Sequence, residues 1–252
     1  MTASCWGVVV AAGRGERFGG DRPKALLELG GTPLVVHAVR ALREGGCTGV
    51  VVAAAPDLVS VVGGLLTESG LAVSGSHAPP AASDQADYAL FDGAPVVVVG
   101  GGSTRQASVC AALAAVPAGT RWVLIHDAAR PLVPAAVAAS VLSALAEGAR
   151  AVIPVLPVVD TLKSVDAAGQ ITTTVDRTDI RRAQTPQGFE RDVLIRALDE
   201  CARKGNEVTD DAAAVAALGV PVRTVPGDER GLKITTPADL ALAEALLRPP
   251  SP

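Results

Sequence analysis

Short apolar runs recur along the chain at 7–11, 49–54, 95–99, 122–126, 151–155 and 220–225. Stretches with helical spacing or high helix propensity fill most of the intervals, at 33–44, 57–69, 104–115, 134–147, 189–203 and 209–218. This alternation constrains the fold more tightly than any single motif, because strands separated by helices build a parallel sheet with helices packed on both faces. Composition agrees. Hydrophobic residues make up 49% of the chain but aromatic ones only 2%, so a core must be assembled from Val, Ala and Leu. That suits strands that are apolar on both faces. The expected class is α/β, a doubly wound and mostly parallel sheet, whose ligands bind beyond the carboxyl ends of its strands.

Two segments break the rhythm. Residues 75–94, with Pro79-Pro80 and small polar residues, show no period and read as an irregular loop insertion. Residues 157–187 instead hold two β-prone runs, Asp160 to Val165 and Gln170 to Val175, around a turn at Ala168-Gly169. That pattern reads as a hairpin leaving the main sheet. A projecting hairpin has exposed edges, and a second subunit is a natural cover for them. The expected organisation is a core of 1–156 and 188–252 with a β-arm at 157–187. Thr236-Pro237-Ala238-Asp239 carries the signature of a helix start, with Thr as N-cap, Pro in the first turn and a carboxylate three residues on.

The first apolar run ends in Ala11-Ala12-Gly13-Arg14-Gly15-Glu16-Arg17-Phe18, with Pro23-Lys24 soon after. Glycine lets backbone approach a ligand closely, and successive N–H groups in such a loop form an anion-binding concavity. Arg14, Arg17 and Lys24 place positive charge beside it, as a polyphosphate requires. The spacing excludes two other glycine loops. A dinucleotide fingerprint needs a third glycine where Phe18 stands, and a Walker A loop needs Gly-Lys-Ser/Thr, which is absent here. A glycine-rich turn with solvated basic residues is the competing reading.

Two later clusters fall at equivalent strand ends, and a third basic position follows near the last helix. Gly100-Gly101-Gly102-Ser103-Thr104 precedes a helix carrying Ser108. It suits a flat polar ligand such as a base edge, or else a turn capped by Ser103 or Thr104. His126-Asp127-Ala128-Ala129-Arg130 puts a carboxylate at the sheet edge with small residues after it. Asp127 is suited to a hydrated Mg²⁺ or a ribose hydroxyl, or alternatively to helix capping or pairing with Arg130. His126 reads as a satisfied, partly buried histidine rather than a catalyst. Lys233 stands between a loop and the last helix, within reach of a phosphate at the sheet's carboxyl edge, whereas Asp210-Asp211 reads as a helix start.

A net charge of −4 argues against a broad nucleic-acid surface. Cys5, Cys47, Cys110 and Cys201 are too scattered for structural zinc and read as free thiols in a reducing compartment. With no signal-like start and no long apolar span, the expected setting is cytoplasmic and away from membranes.

Taken in order, the motifs resemble one family. They are Ala-Ala-Gly-x-Gly-x-Arg at 11–17, Pro23-Lys24, Gly-Gly-x-x-Arg-x-x-Ser-Val at 101–109 and His-Asp-Ala-Ala-Arg-Pro at 126–131. Further on come Pro-Val-x-Asp-Thr-x-Lys at 157–163, Val-Asp-Arg at 175–177, Gln-Thr-Pro-Gln-Gly-Phe at 184–189, Thr-Asp-Asp-Ala at 209–212 and Lys-Ile-Thr at 233–235. The chain is similar over nearly its whole length to the 2-C-methyl-D-erythritol 4-phosphate cytidylyltransferases of the non-mevalonate isoprenoid pathway. The resemblance implies a Rossmann-like nucleotidyltransferase core and a homodimer joined by its β-arms. It implies a reaction of CTP with methylerythritol phosphate, with Mg²⁺, giving CDP-methylerythritol and pyrophosphate. By position, Ala11, Ala12, Gly13 and Gly15 would wrap the CTP phosphates, and Gly102 and Ser108 would read cytosine. Arg17 and Lys24 would stabilise charge on the α-phosphate and the departing pyrophosphate. Arg177 and Lys233 would position the acceptor phosphate, and Ala128, Arg130, Thr161 and Thr185 would line its pocket. Thr161 and Arg177 would serve the neighbouring subunit. The chain departs from the family at Val10, where proline is usual, and at Ser103-Thr104, where an acidic pair is usual. The alternatives are a ribitol 5-phosphate cytidylyltransferase and a nucleotide-binding regulator without turnover.

Overall fold

The structure is a computed structural model that describes residues 4–13, 15, 18, 23–74, 95–206, 208 and 210–248. Arg17 and the 75–94 insertion lie outside them.

The chain opens with β1 (Cys5–Ala11), a short 3-10 turn at Lys24–Leu26, and a two-residue ladder of β2 (Glu28–Leu29) with β3 (Thr32–Pro33). Strands and helices then alternate: α1 (Leu34–Glu44), β4 (Gly49–Ala54), α2 (Val59–Glu68), β5 (Val96–Gly100), α3 (Arg105–Ala114), β6 (Trp122–Asp127), α4 (Ala135–Ala146) and β7 (Ala151–Pro157). The hairpin β8 (Leu162–Val165) and β9 (Ile171–Val175) follows, then β10 (Arg181–Ala183), β11 (Gln187–Glu190), α5 (Arg191–Lys204), α6 (Asp211–Ala217), β12 (Arg223–Pro226) and α7 (Pro237–Leu247).

The main sheet runs β10-β7-β11-β6-β1-β4-β5, with β12 also paired to β7. β6, β1, β4 and β5 are mutually parallel, which brings the ends of β1, β5 and β6 to one edge. Alternate residues feed two cores, as the two-residue period of a strand dictates. Val9, Val50, Val52, Val98 and Leu124 pack against α1 and α4 through Val39, Leu42, Val141 and Leu145. Val8, Val51, Val97, Val123 and Ile125 face α3, α5 and α6 through Val109, Leu113, Leu194, Leu198 and Val215. A third small cluster of Leu29, Leu34, Ile234 and Ala243 seats α7. Thr236 caps α7 by accepting from the Asp239 N–H, while the Asp239 carboxylate returns to the Thr236 N–H, a complete capping box.

The mostly parallel sheet expected from the sequence is present, and two of its details matter for the site. β11 is antiparallel and lies between β6 and β7, so the sheet is mixed on that side. The span 157–187 expected of the arm also includes residues that pair with the main sheet. Chain pairing with the main sheet lasts to Pro157 on β7 and resumes at Arg181 on β10, while the separate two-stranded sheet is confined to β8 and β9. The reason is that Gln184, Thr185 and Gln187 are buried, making hydrogen bonds with groups of the core that an outlying arm does not offer. Cys5, Cys47, Cys110 and Cys201 are all free. No helix among the described residues is long and apolar enough to cross a membrane.

Candidate active site

The loops after β1, β5 and β6 enclose a cavity of about 390 Å³ at the carboxyl edge of the sheet. Its wall includes Ala11, Ala12, Gly13, Gly15, Lys24, Gly102, Ser108, Asp127, Ala128 and Lys233, so residues from five separate sequence motifs converge there. The first loop is shaped by its glycines. Gly15 has φ of 73°, which L side chains rarely adopt, and a Cβ there would sit 2.9 Å from Lys24 Cβ. Among the described residues a Cβ at Gly13 would meet nothing within 4 Å, so the loop is open there towards the cavity.

The loop after β5 approaches the first one just as closely. A Cβ on Gly101 would lie 2.6 Å from Ala12 Cβ and 3.2 Å from the Ala54 carbonyl. Ser108 ties this loop to α3: its hydroxyl donates to the Thr104 carbonyl at 2.9 Å and accepts from the Gly102 N–H at 3.2 Å. Thr104 is the N-cap, accepting from Ala107 N–H at 3.0 Å. The Thr104 cap forms as one of the two readings expects, and the same cluster lines the cavity. The backbone of Gly102 is fixed from behind while its surface faces the cavity.

Behind this cavity a second one of about 250 Å³ is lined by Arg130, Gln184, Thr185, Gln187 and Asp210. Arg105, Asp127 and Lys233 line both and form the wall between them. Asp127 pairs through Oδ1 with Arg105 Nε at 3.3 Å and through Oδ2 with Lys233 Nζ at 2.8 Å. The expected alternative of an Asp127–Arg130 pair does not form. Arg130 instead donates to the carbonyls of Gly231 at 2.7 Å and Ala183 at 3.4 Å, bracing the end of β10 against the turn at Gly231. Burial works against charge on Asp127, but Arg105 and Lys233 hold its carboxyl well below the usual range.

Thr185 is buried, and its hydroxyl is used on both sides. It accepts from the Asp127 N–H at 3.1 Å and bonds His126 Nδ1 at 2.8 Å. Burial pushes His126 down to about 4, so the ring is neutral at pH 7, and its tautomer sets which of the two groups donates in the pair with Thr185. His126 lines neither cavity, but its buried Nε2 has no hydrogen-bond partner, so it is not the fully satisfied histidine that the sequence suggests.

Thr161 and Arg177 line neither cavity of their own chain. Both are exposed on the arm, where Arg177 donates to the Val159 carbonyl. Sequence reasoning missed Arg105 and Asp211, whose ion pair measures 2.8 Å. Arg105 stands within the quoted motif at 101–109 and Asp211 within that at 209–212, but nothing in either motif says that they meet.

The comparisons with known proteins follow the same lines. The family model of 2-C-methyl-D-erythritol 4-phosphate cytidylyltransferase (IspD) matches residues 5–249. The chain is 47% identical over 241 residues to the 2-C-methyl-D-erythritol 4-phosphate cytidylyltransferase of Frankia casuarinae, covering 95% of this chain and 80% of that one. It is 45% identical to the enzyme of the same name from Saccharopolyspora erythraea, covering 95% and 97% of the two chains. The crystal structure of the Thermus thermophilus enzyme of that name superposes with a TM-score of 0.70 at 38% identity, over 98% of each chain. The chain therefore belongs to the 2-C-methyl-D-erythritol 4-phosphate cytidylyltransferase family.

Proposed function

We propose that the protein transfers CMP from CTP to 2-C-methyl-D-erythritol 4-phosphate, releasing pyrophosphate. The observation that carries this reading is the pair of adjoining cavities with one charged wall. A glycine-lined cradle with Lys24 suits a triphosphate, and the smaller cavity with Arg130 and Thr185 suits a phosphorylated polyol. Family membership supplies the identities of the two substrates.

The chemistry follows from charge. The acceptor phosphate is already an anion, so attack on the α-phosphorus needs little general-base help; it needs two anions held together and in line. Backbone N–H groups of Ala12, Gly13 and Gly15 would bind the triphosphate. Gly102 and Ser108 would border cytosine. Lys24 and Arg17 would stabilise charge on the α-phosphate and on the pyrophosphate as it leaves. Lys233 lies in the shared wall, where it would hold the attacking phosphate.

The donor set also fits a divalent ion brought in with the nucleotide. Asp127 is the one carboxylate among the described residues lining the larger cavity, and its ion pairs occupy two of about four acceptor positions. One carboxylate plus substrate phosphates is a usual arrangement for Mg²⁺. Such an ion would offset phosphate charge, with Asp127 as the residue to hold it.

The arm supplies the remaining residues in this reading. Val159, Val165 and Ile171 are 69%, 59% and 65% exposed on one chain. Covering them against a second copy would carry Thr161 and Arg177 to the neighbour's smaller cavity, giving a homodimer with shared sites.

Initial rates of pyrophosphate release with CTP and Mg²⁺ test the acceptor. Turnover with methylerythritol phosphate at least 100-fold above that with ribitol 5-phosphate is expected, a ratio typical of a site built around substrate hydroxyls. Tight CTP binding with no pyrophosphate from either acceptor would leave only a nucleotide-binding protein.

A further inference from the structure

Asp211 is 1% exposed at the first turn of α6, a position where a carboxylate complements the helix dipole without any need for burial. Its partner is Arg105, whose Nη1 lies 2.8 Å from Asp211 Oδ2. The same guanidinium reaches Asp127 Oδ1 through Nε, and the other Asp127 oxygen receives Lys233 Nζ. A chain of alternating charge, Asp211–Arg105–Asp127–Lys233, therefore runs from the interior to the wall shared by the two cavities.

We propose that Arg105, anchored by Asp211, is a positioning residue that fixes the Asp127 carboxylate and, through it, the Lys233 ammonium where the two substrates meet. The proposal rests on the cytidylyl-transfer reading for the identity of those substrates. Three observations support it. The planar guanidinium fork holds two carboxylates in a set relation, which a point charge on a flexible stem does not do. The Asp127 main chain is pinned independently by Thr185, so the carboxylate is fixed from both ends. Asp211 also adds negative charge beside a site for two anions, and burying it is costly. On charge alone it opposes function, so its place is explained by what it holds.

That opposition of sign gives the test. In Asp211→Asn the site gains one net positive charge. If Arg105 acts only through charge, turnover stays equal or rises. If it acts by position, kcat falls about 10- to 100-fold, as small misplacements do, while CTP affinity by calorimetry stays within about threefold or tightens. Arg105→Lys keeps the charge and loses the fork; it is expected to show the same fall in kcat with KM little changed, and it carries the comparison should Asp211→Asn fail to fold. Normal kcat in either folded variant, or a rise in KM for CTP alone, overturns the proposal. A crystal structure of the Asp211→Asn variant is the readout independent of turnover. A Lys233 Nζ moved out of hydrogen-bond reach of Asp127 supports positioning, and an unchanged pair overturns it. Wild-type protein inert with both substrates would sink the proposed function instead, leaving that structure to decide the role of Arg105.

Discussion

His126 and Asp127 are neighbours at the end of β6, buried alike, yet they settle in opposite ionisation states. Asp127 has two cations within ion-pair distance, whereas His126 has a threonine hydroxyl on one nitrogen and no partner on the other. The histidine therefore stays neutral, with its proton affinity lowered from 6.5 to about 4. The unfolded chain binds the extra proton between those values, so stability is full above pH 6.5 and is lost as pH falls towards 4. The contribution is on the order of 3 kcal/mol. Urea unfolding across that window should show His126→Gln with a flatter pH dependence than wild type; equal slopes would remove His126 from the account. Gly15 offers a second check on a single position. An added Cβ is strained at its positive φ and meets Lys24, so Gly15→Ala should cost about 1–3 kcal/mol in stability. It should also slow turnover by displacing Lys24. Lys24→Ala should lose about 10²- to 10³-fold in kcat with little change in melting temperature. Near-normal rates in both variants would take this lysine out of the catalytic set.

The central strands were legible in the sequence because they are uniform. Val96 to Val99 can satisfy both faces of a covered sheet and little else, and the capping box at Thr236 states its geometry outright. β10 and β11 were not legible. Arg181–Ala183 and Gln187–Glu190 are short and polar, and their strand character comes from pairing with β7 and β6 rather than from their own residues. The site divides in the same way. Its glycine loops could be read locally, since backbone approach demands glycine wherever it occurs. The Arg105–Asp211 contact joins α3 to α6 and exists only after folding. The hairpin of β8 and β9 could be read as an element, whereas the role proposed for it depends on a second copy of the chain. If it serves the neighbouring site, mixing Arg177→Ala chains with Lys24→Ala chains should restore activity, because each heterodimer then contains one site with both residues intact. About a quarter of wild-type activity is expected when half the dimers are mixed and one of their two sites is whole, a ratio set by dimer symmetry. No recovery, with subunit exchange confirmed, would return both residues to their own chain.

Taken together, the fold delivers two adjoining cavities and a charged partition at one edge of a mixed sheet, which the proposed reaction would use as a triphosphate cradle and an acceptor-phosphate site. The partition ties the substrates' meeting point to the interior through Asp127 and Arg105. Such a design speeds a reaction between two anions chiefly by fixing charge in advance of their arrival. Its consequence can be followed atom by atom. With ¹⁸O in the phosphate of 2-C-methyl-D-erythritol 4-phosphate, ³¹P NMR of the reaction with CTP and Mg²⁺ should show the label in the diphosphate product, including its bridge, and unlabelled pyrophosphate. Release of CMP with no diphosphate product, or label appearing in pyrophosphate, would contradict attack by the acceptor phosphate on the α-phosphorus.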